Sequence, residues 1–99
     1  MRSVELAIYA DTLAGEAASL AARAERVRSR LRQAAIEKRA RAELSETAVE
    51  RLEHLGLLSA INERGARAEL RELEEALAAL EKLQAWACCE SELAEASAA

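Results

Sequence analysis

A chain of 99 residues with 52% hydrophobic residues and a net charge of −4 has the length of one small domain and no overall basic charge that would demand a nucleic-acid partner. About half of the hydrophobic fraction is alanine, and there is one Trp, one Tyr, no Phe and no Pro, so strands, which want β-branched and aromatic residues, are excluded. Ala, Leu, Arg and Glu dominate, and as the strongest helix formers they make the fold class all-α.

Along the first forty residues, Leu6, Leu13, Leu20, Val27 and Ala34 recur every seven positions, and Ala10, Ala17, Ala24 and Leu31 recur four residues after them. With the first row as d and the second as a, they form a heptad seam in which small a residues let two backbones approach closely. Ala7, Ala14 and Ala21 add an e row, a wider stripe than one neighbour requires. Gly15 falls at f, on the solvent side. The pattern predicts a helix over about 3–43.

The seam breaks at Leu44-Ser45-Glu46-Thr47. Ser45 suits an N-cap, with Leu44 and Val49 spaced as a hydrophobic staple. Val49, Leu52 and Leu55 share a face of a short helix predicted over about 46–55. Gly56 follows as a left-handed cap, after which Leu57 is expected to supply the accompanying apolar contact. Leu57, Leu58 and Ile61 read as an apolar corner, with Ser59 or Asn62 capping the next helix.

That helix is predicted over about 60–90. Leu70, Leu73, Leu77, Leu80 and Ala87 take a/d spacing, with Gln84 as a polar intruder that specifies register. Ala76, Ala79, Leu83 and Trp86 form a second apolar stripe. Residues 91–99, Ala/Glu-rich with Leu93 as the one anchor, are expected to fray. The whole chain, 1–99, therefore reads as a single helical domain: an antiparallel coiled-coil hairpin of two long helices joined by a short one.

Charge supports the direction of pairing. Residues 23–41 hold eight basic residues against two glutamates, and residues 66–95 hold eight glutamates against three basic residues. In an antiparallel alignment Arg23–Arg32 fall opposite Glu69–Glu81. Each exposed pair contributes only a few tenths of a kcal/mol, yet a like-charged alignment would be disfavoured by similar amounts.

No constellation of residues names a reaction. The basic segment 23–41 is the one feature suited to nucleic acid, but its residues spread around the helix instead of forming a stripe, and no aromatics interleave them for stacking. The stretch 45–65 has helix–turn–helix proportions, but its second helix would offer a groove only Arg64 and Arg67. Cys88 and Cys89 are adjacent, so they form no intrachain disulfide framework, and neighbouring helical positions point about 100° apart, which disfavours one shared metal ion. His54 is expected at the far end from them. No cofactor, metal site or small-molecule substrate is read, and a small helical enzyme would need polar side chains where the seam carries Ala and Leu. Glu5 and Asp11 interrupt any leader-like apolar run, and no stretch nears the roughly 20 apolar residues of a membrane span, so cytoplasmic residence is expected.

What remains is apolar surface. The surplus stripes, together with Val4, Ile8, Tyr9, Leu83 and Trp86, gather at the open end of the hairpin. Contiguous apolar patches of more than a few hundred Å² are unusual on monomers, and Trp and Tyr anchor interfaces. The expected function is a non-enzymatic protein–protein interaction or assembly module: a helical adaptor, chaperone-like protein or structural subunit. Those five residues are its expected interface, and a four-helix bundle completed with itself or with another helical protein is the expected assembly. A nucleic-acid-associated oligomer using segment 23–41 is the alternative, and a small helical enzyme a third.

Overall fold

The computed structural model describes residues 2–59 and 62–98. Three helices occur in order, α1 (Arg2–Arg41), α2 (Glu46–His54) and α3 (Glu63–Ala98). The two long helices pack against each other as an all-α hairpin. The chain groups into two compact units, Met1–Ala24 with Glu72–Ala99 and, separately, Glu25–Arg71.

In the first unit the expected seam forms. Ala10, Leu13 and Ala24 of α1 and Leu73 and Ala87 of α3 are buried. Ala10, Leu13 and Ala87 make one cluster, with Leu80 packed against it. The start of α1 thus meets the end of α3, which is the antiparallel direction. Alanine at Ala10, Ala24 and Ala87 lets the two backbones approach closely. Gln84 sits half-buried within the same a/d series, as its spacing implies. Frayed residues were expected over 91–99, but α3 continues through Ala98 and Ser91 is buried. The buried row steps by four from Ala87 to Ser91, so the heptad carries on although its apolar residue does not.

The second unit holds the corner. Val27 and Ala34 continue the buried row of α1, and Val27 is the largest fully buried side chain among the described residues. The next buried position is Glu37, three residues on, where the heptad calls for Lys38. α1 ends at Arg41 in place of the expected 43, and the amides of Glu43 and Leu44 close tight turns onto Ala40 and Arg41. Ser45 caps α2 as expected, its Oγ accepting from the Ala48 amide at 3.2 Å.

Gly56, at φ 74°, ends α2. The Leu57 amide donates to the Leu52 carbonyl and the Gly56 amide to that of Glu53, a Schellman arrangement. Leu57 remains largely exposed, so the contact expected of it is not what holds the turn. Glycine's freedom at positive φ and the two hydrogen bonds are. Asn62, not Ser59, caps α3: its Oδ1 accepts from the Gly65 amide at 3.0 Å. A Cβ on Gly65 would stand 2.8 Å from the Asn62 amide nitrogen, so the missing side chain gives the cap its room. Ile61, expected in the apolar corner, lies outside the described residues.

Candidate interaction surface

The five side chains expected to form an interface are all exposed: Val4 and Ile8 at 60%, Tyr9 and Leu83 at 38%, and Trp86 at 52%. All belong to the first unit. They do not share one face. Val4 and Ile8 lie about 40° apart around α1, whereas Tyr9 is turned about 100° from Ile8 and about 140° from Val4.

A groove in this unit identifies the two sides. Ala7, Ala10 and Asp11 of α1 line it together with Cys88, Ser91 and Glu92 of α3. Tyr9 lies about 160° around α1 from Ala7, and Trp86 lies about 160° around α3 from Cys88. Tyr9, Leu83 and Trp86 therefore occupy the flank away from the groove. Val4 lies about 20° around α1 from Asp11, on the groove side, whereas Ile8 is turned about 100° from both Ala7 and Tyr9 and faces away from the seam. The e row of alanines is accordingly exposed at Ala7 and Ala21 and half-buried at Ala14.

Leu93, 56% exposed, extends the Trp86 flank. It follows Trp86 by seven residues, two helical turns along the same stripe. That spacing is visible in the sequence, but an expectation of fraying beyond 90 set it aside.

Three of the basic residues in 23–41, Arg28, Arg32 and Arg41, meet partners within the chain. Arg32 donates to Glu25 at 2.8 Å and Arg28 lies 3.6 Å from the same carboxylate. Arg32, with a smaller contribution from Arg28, holds the Glu25 carboxyl below the usual glutamate range. Arg41 donates to the Ser59 carbonyl at 2.8 Å and pairs with Glu53 at 3.3 Å.

Beside Arg41, Glu37 accepts from the Ser59 hydroxyl at 3.0 Å and from the Ser59 amide at 3.3 Å. Gln33 adds a long contact at 3.5 Å. The Ser59 hydroxyl chiefly lowers the Glu37 pKa. Burial pushes the other way, and Gln33, the Ser59 amide and Arg41 add to the lowering.

Cys88 and Cys89 are exposed free thiols. Among the described residues no three His, Cys, Asp or Glu side chains converge on a possible metal position, and no helix is long and apolar enough to cross a membrane. Compared with protein families, curated proteins and solved structures, the chain matches none.

Proposed function

We propose that this chain is a non-enzymatic assembly module of the cytoplasm that binds helices of other protein subunits, its own copies or a partner's, through the first unit. One observation carries the reading. The seam is already formed within the chain, yet Tyr9, Leu83, Trp86 and Leu93 stay exposed along one flank, and Val4 and Ile8 stay exposed elsewhere on α1. Such side chains gain by leaving water, at about 25 cal/mol per Å² of apolar area, and further helices laid along a flank would build a bundle of four.

The test compares the wild-type chain with a Trp86→Glu, Tyr9→Ala variant, by light scattering and by co-purification from the native host. Wild type should show a mass above 10.7 kDa or a retained partner. The variant should lose it while circular dichroism stays helical. A wild-type monomer at micromolar concentration that recovers the same proteins as the variant would sink the proposal.

A further inference from the structure

We infer that the groove side of the first unit receives the second unit of another copy of this chain, acidic rows of one against arginine rows of the other. The inference rests on the assembly reading above and names what sits on the first unit. The heptad rows that border the groove carry it. In α1 these are the rows of Ala7 and Asp11, and in α3 those of Cys88 and Glu92. Within the first unit their described charged members are Asp11, Glu74, Glu81 and Glu92, all exposed. The unit's three cations stand elsewhere: Arg2 and Arg23 share the row of Tyr9, and Lys82 is turned about 100° around α3 from Glu81.

Within the second unit the same four rows change sign. They hold Arg28, Arg32 and Arg39 of α1 and Arg64, Arg67 and Arg71 of α3. The one carboxylate among them is Glu25, which Arg28 and Arg32 already meet. Arg67 reaches Glu63 only at 3.9 Å, with its side chain 72% exposed. Arg39, Arg64 and Arg71 make no ion pair among the described residues.

One chain thus carries both members of a charge-complementary pair, sorted by unit. A surface that complements another surface of the same chain joins like subunits, and opposed charges set partner and register. The rows add little bulk. Ala7, Ala14, Ala18 and Ala21 of α1 and Ala78 and Ala85 of α3 let an incoming helix approach closely. A nucleic acid suits the arginines less well. The first unit, with ten acidic residues against three basic ones, repels a polyanion, and no aromatic side chain stands in these rows for a base to stack on. The contact leaves the Trp86 flank open to a further partner.

Light scattering on the full chain should give a mass above 10.7 kDa at micromolar concentration, falling as salt rises to ~1 M. An Asp11→Lys, Glu81→Lys variant and an Arg67→Glu, Arg71→Glu variant should each weaken self-association at least about tenfold, with helicity retained. Mixed in equal amounts, the two should associate again, because each supplies the sign that the other lost.

Charge variants that associate as wild type does, or that stay apart when mixed, overturn the inference. Mass that survives both of them and is lost with Trp86→Glu, Tyr9→Ala overturns it too, while the assembly reading stands. A wild-type monomer that binds a short DNA duplex, and releases it in the Arg67→Glu, Arg71→Glu variant, overturns it in favour of nucleic acid. A monomer that retains no copy, duplex or co-purified partner defeats both readings.

Discussion

Glu37 shows how much one side chain settles at the corner. It is a glutamate in a buried position of α1, and its two oxygens are met by the hydroxyl and amide of Ser59. Its carboxyl is held below the usual glutamate range, chiefly by the Ser59 hydroxyl. The unfolded chain therefore binds a proton more readily than the folded one. Stability contributed by Glu37 is complete above the unfolded value, about 4.3, and is lost as pH falls through the lower folded value. Glu37→Gln should accordingly be less stable than wild type at neutral pH, and the gap should narrow as pH drops below about 4. Urea unfolding at a series of pH values checks this, and a gap that stays constant down to pH 3 would remove Glu37's charge from the account. Nothing in the sequence marks Glu37 for this role. It lies one residue from the heptad position of Lys38, and its partner Ser59 is 22 residues away.

The long helices were the most legible part of the chain. A seven-residue repeat of Leu and Ala sustained across α1 identifies a helix and its buried row together, because only a helix brings those positions to one side. Boundaries were less legible where two capping residues compete. Ser59 and Asn62 are both good caps, and Asn62 takes the role at α3 while Ser59 hydrogen-bonds Glu37, 22 residues away in the chain. α3 runs on through Ala98, beyond the 90 expected, in a segment of Ala and Glu that favours helix but has few apolar positions to mark its extent. Burial separates seam from flank, and stability measurements should do the same. Leu73→Ala removes a buried side chain and should cost about 2–5 kcal/mol. Leu83→Ala, at 38% exposure, should cost about 1 kcal/mol or less. Thermal or denaturant unfolding of the two variants decides it. Equal losses would mean that Leu83 also packs within the hairpin and is not surplus.

At the scale of the molecule, the sequence announces that apolar surface is left over but not how it is divided. Val4, Ile8 and Tyr9 are near neighbours along the chain, and it takes the groove shared by Ala7, Asp11, Cys88 and Glu92 to show that they do not share one face. The place of the buried cluster has a kinetic consequence. Ala10 and Leu13 meet Ala87 across more than seventy residues of chain, whereas Glu37 and Ser59 are 22 apart. Closing the longer loop costs only about 1 kcal/mol more, but contacts distant in sequence form later unless nearer ones shorten the path. Folding should therefore start at the corner and zip toward the termini, and opening should run in reverse. Native-state amide exchange should find the amides around Ala10 and Ala87 opening at lower free energy than those around Val27. Exchange that is slowest around Ala10 and Ala87 would reverse this order. The exposed tryptophan thus belongs to the end of the hairpin that closes last, so a helix bound there would also hold the zipper shut.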